Sequence, residues 1–258
     1  MFKHIHQHLR QVALTSNGVL LTQERARALR AAGLERITIS LDAVEGEVVA
    51  RMAGLRGGES AGNRLIQQVL AGLEAARSAG FDPAVGALKL NAVIQRGVND
   101  DQLIPLAMLA RQQRLELRLI EYMDVGNRNG WAMEQVLPAA VMVDRISRQW
   151  PLSSLGRSPG GTALRWRYRD GVAAIGVIAS ISEPFCGDCN RLRITADGQA
   201  FTCLFAARGT DLKPALTSDD ELERAICTLW QRRLDHYSEE GRAASEAAPH
   251  AEMAYLGG

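Results

Sequence analysis

Apolar positions in the first half of the chain alternate between two periods, one typical of strands and one typical of helices. The helical patterns include a segment that Thr22 can cap and Gly33 can end, and another that Asn99 can cap. Residues 53–62 are glycine-rich and charged, which predicts a mobile loop. Four β-branched or apolar runs are predicted as strands, at about residues 12–14, 36–41, 85–94 and 115–122. Strands that alternate with helices indicate a parallel βα arrangement.

Small polar residues follow the predicted strands at their carboxyl ends. The first strand runs into Thr15 and a tight turn that ends at Gly18, and the second ends at Ser40 and Asp42. The fourth is followed by another glycine turn, which begins with Met123. Ligands of βα folds bind at the carboxyl ends of the strands, so we expect a binding site there.

Two of the strands also carry charged residues within apolar runs. Lys89 and Asn91 share one face of the third strand, and Glu116 and Arg118 share one face of the fourth. A lysine that faces the interior must pair with an anion, because a lone buried ammonium is costly. The alternative is an outward, solvated lysine, but the polar companion Asn91 favours the inward orientation.

Two features of the sequence predict the domain organisation: the number of strands, and the composition and turn signals of the second half of the chain. A complete βα barrel has eight strands, so four predict either an open sheet or a pattern that lacks its first βα portion. Residues 151–161 indicate a boundary by their composition. Beyond it, Asp170-Gly171 and Asp197-Gly198 predict hairpins, and therefore antiparallel strands. We expect one domain at 1–150 and a second at 151–258.

Charge and composition exclude several classes of function. The formal net charge of +1 gives no field that would attract nucleic acid or a membrane surface, and we expect neither partner. No apolar run approaches the ~20 residues that span a bilayer, and the first residues lack the apolar core of a signal peptide. We therefore expect a cytoplasmic protein, whose cysteines serve a metal or catalysis more often than disulfides.

Three of the four cysteines fall in one loop, at Cys186, Cys189 and Cys203. Three thiolates can hold zinc or an iron–sulfur cluster. A structural zinc ion needs a fourth ligand, and Cys227 lies on a predicted helix, where a buried structural thiol is the simpler interpretation. A 4Fe–4S cluster with three protein ligands leaves one iron open, so the set favours a cluster that binds substrate, with a zinc staple as the alternative.

Basic residues and histidines add two further candidate sites. Arg191 and Arg193 follow the second cysteine and share a face if the segment is a strand, which suits a phosphate group. Ion pairing with acidic residues elsewhere is the alternative. His4 and His8 lie one turn apart in a predicted helix over residues 2–10, a spacing typical of metal pairs, although a solvated helix face explains them more simply.

Several separate motifs resemble one family, that of molybdenum cofactor biosynthesis protein A, the GTP 3′,8-cyclases. The motifs begin with LTSNG at residue 14, ISLD at 39, KLN at 89, GVNDD at 97, RLIEYMDVGN at 118, FCGDCNRLR at 185 and CLF at 203, and the chain ends in Gly-Gly. Members of this family are radical S-adenosylmethionine enzymes. The resemblance implies the α/β class, with an incomplete (βα) radical-SAM-type partial TIM barrel and a C-terminal antiparallel, cluster-binding extension.

The resemblance also assigns roles to individual residues. Cys186, Cys189 and Cys203 match ligands of a C-terminal 4Fe–4S cluster whose open iron holds the base of GTP. The matches to positions that bind GTP are Thr15, Lys89, Arg191, Leu192 and Arg193. Ser40 and Met123 match contacts of S-adenosylmethionine, Arg118 matches an active-site arginine, and Gly257 and Gly258 match a tail that enters the active site. The implied partners are GTP and, downstream, cyclic pyranopterin monophosphate synthase; a homodimer is left open.

One family motif is missing from the printed sequence. Radical S-adenosylmethionine enzymes hold their reductive cluster with C-x3-C-x2-C, and none of the four cysteines forms that pattern. We therefore expect a shortened GTP 3′,8-cyclase, in which the second, N-terminal 4Fe–4S cluster and S-adenosylmethionine chemistry belong to a full-length form. The alternative is a non-catalytic iron–sulfur or nucleotide-binding module.

Overall fold

The computed structural model describes residues 11–126, 130–233, 251–253, 255 and 256. The helix predicted over residues 2–10, with its histidines, and the tail residues Gly257 and Gly258 lie outside this described part. The chain divides into two compact units. The first comprises Met1–Tyr122 and Glu134–Ala179, and the second comprises Met123–Met133 and Ser180–Gly258.

A seven-stranded sheet forms the centre of the first unit. Its strands are β1 Ala13–Ser16, β2 Arg36–Ser40, β3 Leu88–Ile94, β4 Glu116–Glu121, β5 Leu152–Arg157, β6 Leu164–Tyr168 and β7 Ala174–Ile178. The spatial order is β1-β2-β3-β4-β7-β6-β5. Neighbours from β1 through β4 to β7 are parallel, while β5, β6 and β7 pair antiparallel. The predicted parallel βα arrangement and the Asp170-Gly171 hairpin are thus confirmed.

Helices cover the apolar face of this sheet. They are α1 Gln23–Ala31, α2 Gly46–Met52, α3 Gly58–Ser78, α4 Leu103–Gln112 and α5 Ala139–Gln149. Alternate residues of the strands, such as Leu90 and Leu117, share one core with side chains of these helices, such as Val69 and Leu106. Because successive strand residues face opposite ways, the polar residues between them lie on the other face of the sheet.

The cap of α1 is confirmed, because the Thr22 hydroxyl accepts a hydrogen bond from the Arg25 amide at 3.3 Å. The mobile loop predicted at 53–62 is wrong over its second half, where α3 has already begun at Gly58. Its glycines serve packing: a Cβ on Gly62 would lie 1.8 Å from the Gly46 carbonyl oxygen of α2. Close contact between the two helices therefore overrides the usual association of glycine with loops.

Asn99 does not cap a helix as predicted. Its fully buried amide joins three backbone segments instead, donating to the Asp42 and Val93 carbonyls at 2.7 and 2.8 Å and accepting from the Gln95 amide at 2.8 Å. A short 3-10 turn, Asp100–Gln102, then leads into α4. This side chain therefore ties the end of β3 to the segment that follows β2.

The boundary predicted at residues 151–161 contains strand β5, a largely exposed edge strand with a register shift between Ser154 and Gly156. The sheet continues across residue 150, so the predicted division at 150/151 falls inside the first unit. The two leucines of this strand, Leu152 and Leu155, are three residues apart, so the segment carries no alternating signal by which its sequence would indicate a strand.

Over its described residues, the second unit contains a small antiparallel sheet and one helix. Its strands are β8 Arg193–Ile194, β9 Gln199–Phe201 and β10 Thr210–Asp211, in the order β10-β9-β8, and its helix is α6 Asp219–Gln231. The Asp197-Gly198 hairpin is confirmed. Cys227 on α6 is exposed, so its interpretation as a buried thiol is wrong. Within the described residues, no helix combines the length and apolarity needed to cross a membrane.

Candidate active site

The predicted site residues of the first unit all lie on the polar face of the sheet. In the strand register, Thr15 pairs with Thr38 and Thr38 with Lys89, while Ser40 pairs with Asn91 and Asn91 with Arg118. Register partners in a parallel sheet share a face, and Thr38 and Ser40 are two residues apart on one strand. The sheet therefore brings Thr15, Ser40, Lys89 and Arg118 to one surface.

A buried carboxylate organises the charged part of this face. Oε1 of Glu116 lies 3.0 Å from the Lys89 ammonium and 3.1 Å from the Arg118 Nε, and Oε2 lies 2.8 Å from the Arg165 Nη2. Glu116 is 6% exposed and Lys89 is 7% exposed. The inward orientation of Lys89 toward an anion is thus confirmed, and Glu116 is that anion.

The protonation of this network follows from its surroundings. Burial alone would raise the pKa of Glu116, but the charges and hydrogen bonds of Lys89, followed by Arg118 and Arg165, lower that pKa to about 2. Burial lowers the pKa of Lys89, and Arg118 lowers it further, while Glu116 opposes both effects. Glu116 therefore stays ionised and helps to keep Lys89 protonated.

A cavity of about 720 Å³ opens over this network. Among the residues that the structure describes, its lining carries one carboxylate, that of Glu116, and six basic side chains: Arg36, Lys89, Arg114, Arg118, Arg165 and Arg167. Burial and the nearby charge of Arg118 lower the pKa of Arg36. Such crowding of cations is relieved by a bound anion, and the volume falls in the range of small-molecule sites. The cavity is therefore suited to a ligand with several negative charges.

The carboxyl ends of β1 and β2 form a second, smaller concavity of about 190 Å³, whose lining includes Asn17, Ser40 and Asp42. The Ser16 hydroxyl and the Asn17 amide oxygen accept hydrogen bonds from the Gly18 and Val19 amides, which makes the predicted tight turn. Burial raises the pKa of Asp42, while a hydrogen bond from the Val93 amide opposes this rise. Ser40 thus lines a recess that apolar side chains such as Leu65 also form, whereas Thr15 is exposed.

The cysteine loop belongs to the second unit. The three cysteines are free thiols of intermediate exposure, and the Cys189 amide donates to the Cys186 carbonyl at 3.1 Å. The guanidinium of Arg191 donates to the Cys189 sulfur from Nε at 3.3 Å and from Nη2 at 3.2 Å. The Phe205 amide donates to the Cys203 sulfur at 3.4 Å. Two of the three sulfurs therefore accept the kind of hydrogen bond that stabilises a thiolate.

The charges around the cysteine loop also favour the thiolate form of Cys189. Burial alone would raise the pKa of the Cys189 thiol, but hydrogen bonds from Arg191 and the charges of Arg191 and Arg233 lower it below its usual value. Arg193 lies close enough to Cys189 and Cys203 for both sulfurs to raise its pKa, although burial and Arg191 lower it overall. Arg191 and Arg193 thus lie close to thiol groups. The sequence alone indicates only that the two arginines follow the second cysteine in the chain.

The three cysteine thiols are donors of the kind that a 4Fe–4S cluster takes. Within the described part of the chain, no group of three His, Cys, Asp or Glu side chains converges on a position for one ion. In a cubane cluster each cysteine binds a different iron, so convergence on one point is not required. Accessible thiols that accept N–H hydrogen bonds match the ligand chemistry of such a cluster.

Sequence reasoning missed Arg233, the first residue beyond the C-cap of α6. Its guanidinium donates from Nη1 to the Cys189 carbonyl and from Nη2 to the Cys186 carbonyl, the latter at 3.4 Å. It also lies over the Trp230 ring, 5.0 Å from the centroid. No sequence pattern links this arginine to a loop more than 40 residues earlier, so only the structure could identify the contact.

Met123 and the residues before the tail also lie in the second unit. Met123 is half-buried, and its carbonyl accepts a hydrogen bond from the Val125 amide at 2.9 Å. The Tyr255 hydroxyl donates to the Asp197 carboxylate at 2.9 Å, and its ring meets the Phe201 ring edge-on at 6.1 Å. Leu256 is buried. The chain is thus attached to the β8–β9 hairpin directly before Gly257.

Comparison with known proteins places the chain among named relatives. A model of the radical SAM superfamily matches residues 2–110, and a model described as Molybdenum Cofactor Synthesis C matches residues 115–239. The GTP 3′,8-cyclase of Synechococcus sp. (strain CC9605) is 72% identical over 250 residues, covering 97% of this chain and 72% of the relative. That of Xanthomonas campestris pv. campestris (strain B100) is 45% identical over 252 residues, covering 97% and 71%.

Proposed function

Because this chain belongs to the GTP 3′,8-cyclase family, we propose that it binds GTP and acts in molybdenum cofactor biosynthesis. The proposed reaction is the radical S-adenosylmethionine-dependent cyclisation of GTP to (8S)-3′,8-cyclo-7,8-dihydroguanosine 5′-triphosphate. The observation that carries the proposal is the cationic cavity, because it joins Lys89 and Arg118, two positions that the family resemblance assigned to the active site.

The triphosphate is the part of GTP that this cavity would bind. Arginine forks bind phosphate oxygens in pairs, and a lysine adds a point charge. The surplus of basic side chains over the single carboxylate Glu116 supports a ligand with three or four negative charges. Thr15, on the same face of the sheet, is proposed as a further GTP contact.

The cysteine loop is the proposed site of the C-terminal 4Fe–4S cluster, with Cys186, Cys189 and Cys203 as its ligands. When bound, such a cluster offers one iron without a protein ligand, to which the guanine base can coordinate. Arg191 would hold the Cys189 sulfur in its thiolate form, and Arg233 would hold the two carbonyls of the loop in place. Arg191, Leu192 and Arg193 are proposed to border the bound nucleotide.

The remaining assignments are also proposals. Ser40 and Met123 would contact S-adenosylmethionine, and the parallel strands would form part of an incomplete TIM-type barrel with a C-terminal cluster-binding extension. Gly257 and Gly258 would reach the active site, supported by the attachment of Tyr255 directly before them. The cyclised nucleotide would pass to cyclic pyranopterin monophosphate synthase, and the division of roles between residues 1–150 and 151–258 stays a prediction.

The second candidate function is nucleotide binding without turnover. It is favoured by the printed sequence, whose cysteines suffice for one 4Fe–4S cluster. Iron analysis after anaerobic reconstitution tests both candidates, and about four irons per chain are expected. Stoichiometric zinc without iron would contradict both. Reductive cleavage of S-adenosylmethionine by the reconstituted chain would favour the cyclisation, and GTP binding without cleavage would favour the binding module.

The GTP site is tested by calorimetric titration of GTP into the reconstituted protein. Replacing Lys89 by Met removes the charge but keeps the length of the side chain, and we expect GTP to bind about 10- to 100-fold more weakly. Lys213→Met is the matched control, because Lys213 is an exposed lysine in the second unit. Equal weakening in both variants, or no change in either, would contradict the assignment of Lys89.

A further inference from the structure

We propose that Arg165 is a further phosphate-binding residue of this cavity and that Glu116 is the positioning residue that holds Lys89, Arg118 and Arg165 in place for a triphosphate. The inference rests on the proposed function, since it assigns new residues to the same GTP site. Neither residue belongs to a motif that resembles the family, and the two lie on different strands, 49 positions apart.

The positioning role follows from how Glu116 shares its oxygens. Oε1 accepts from Lys89 and Arg118, and Oε2 accepts from Arg165. All four side chains line the cavity. A single carboxylate therefore fixes three cations at once and still leaves the group with a net charge of about +2. A site that is arranged before its ligand arrives avoids the entropy of ordering three long side chains during binding.

A glycine in β7 lies between the two arginines that bind this carboxylate. Gly176 pairs with Arg118 on one side and with Arg165 on the other, so β7 separates the two arginines. A Cβ at Gly176 would lie 3.5 Å from the Arg118 Cγ and 3.8 Å from the Glu116 Oε1, and only 3.1 Å from the Ala163 Cβ. The absence of a side chain on Gly176 keeps the narrow space between Ala163, Arg118 and Glu116 clear.

Arg165 also keeps donor capacity for a ligand. Its Nη2 donates to Glu116, but its buried Nε has no hydrogen-bond partner among the described residues. A buried donor without a partner costs free energy, which a phosphate oxygen would recover. The side chain is about one-third exposed and lines the cavity, so it is accessible to a ligand there.

Glu116 has an additional effect on the charge of Lys89. The groups that face Lys89 are Glu116 and Arg118 on β4 and Arg165 on β6, and Arg36 on β2 lines the same cavity. Without the carboxylate, burial and the charges of Arg118 and Arg165 would all favour the neutral amine. A charge-free replacement of Glu116 should therefore make triphosphate binding dependent on pH in the range where Lys89 loses its proton.

The experiment measures binding to the full chain, reconstituted anaerobically, by calorimetry with GTP, inorganic triphosphate and guanosine. We expect Arg165→Ala to weaken GTP and inorganic triphosphate about 10- to 100-fold and to leave guanosine unchanged. Arg165→Lys should recover part of the loss, because it restores the charge without the fork. Arg145→Ala is the matched control: Arg145 pairs with Asp100 and does not line the cavity.

Glu116→Gln provides the second test, with Asp100→Asn as its control. We expect weaker GTP binding, with a loss relative to the wild type that grows as the pH rises; comparing the two proteins at each pH removes the titration of the terminal phosphate, whose second pKa is about 6. If the unliganded Glu116→Gln protein does not fold, the Arg165 variants still decide the inference. If the wild type binds GTP and the Arg165→Ala variant binds it equally well, the inference is overturned. A wild type that binds neither GTP nor inorganic triphosphate would refute the proposed function itself.

Discussion

Replacing Glu116 by Gln also gives a prediction about stability, which requires neither cluster nor nucleotide. The variant keeps the shape of the side chain and removes the charge that joins Lys89, Arg118 and Arg165. In the wild type, these cations lower the pKa of Glu116 from an ordinary 4.5 to about 2. A carboxyl whose pKa is lowered by folding stabilises the native state wherever it is ionised in both states.

The size of the effect follows from the shift. A lowering of about 2.5 pKa units corresponds to roughly 3 kcal/mol of unfolding free energy at neutral pH. The contribution is fully present above pH 4.5, the ordinary pKa of Glu, and is lost as the pH falls toward about 2. At pH 3 we expect that about 2 kcal/mol of it has disappeared. The side chain is only 6% exposed, so screening by solvent reduces the effect little.

The assay is urea unfolding of the cluster-free chain, followed by circular dichroism between pH 7 and pH 3. The free energy of unfolding of Glu116→Gln is subtracted from that of the wild type at each pH, which cancels the other carboxylates. Asp100→Asn serves as a control at a half-buried ion pair outside the cavity. We expect the difference for Glu116 to be about 3 kcal/mol at pH 7 and about 1 kcal/mol at pH 3.

A difference that stays constant across this pH range would refute the reasoning, because it would mean that folding leaves the pKa of Glu116 unchanged. A Glu116→Gln variant that is more stable than the wild type at pH 7 would also refute the reasoning. Buried ion networks are sometimes less favourable than neutral ones, so the sign of the difference is itself informative.

Three further predictions concern packing and the tail. Gly62→Ala should destabilise the chain by about 3 kcal/mol, measured by urea unfolding, because its Cβ would overlap the Gly46 carbonyl. Arg111→Ala should lower stability by about 1–3 kcal/mol yet leave GTP affinity unchanged, because this arginine stacks on two aromatic rings outside the cavity. Tyr255→Phe removes the hydrogen bond to Asp197, and carboxypeptidase should then release the last residues faster; an unchanged rate would argue against the attachment.

The strand pattern and the facing of Lys89 could be predicted from the sequence because each depends on local periodicity. β-branched alternation marks the parallel strands, and a charged residue within an apolar run requires a partner. The predicted faces of β3 and β4 then brought Lys89 and Glu116 together, since their strands are neighbours. In the first unit, the strands and their buried faces therefore follow from patterns that extend over only a few residues.

The residues that escaped prediction depend on contacts across long stretches of chain. Arg165 reaches Glu116 across β7, the strand that lies between β4 and β6. Arg233 reaches the cysteine loop from the end of α6. Asn99 resembles a helix cap in sequence, yet its amide donates to the backbone carbonyls of two other segments. Topology, which a short pattern does not encode, determines all of these contacts.

The most direct test of the account is a crystal structure of the reconstituted chain with GTP, grown without oxygen. We expect the triphosphate in the cationic cavity, with phosphate oxygens within hydrogen-bond distance of Lys89, Arg118 and Arg165, and Glu116 still bridging the three side chains. Phosphates bound elsewhere, with this cavity empty at saturating GTP, would contradict the account.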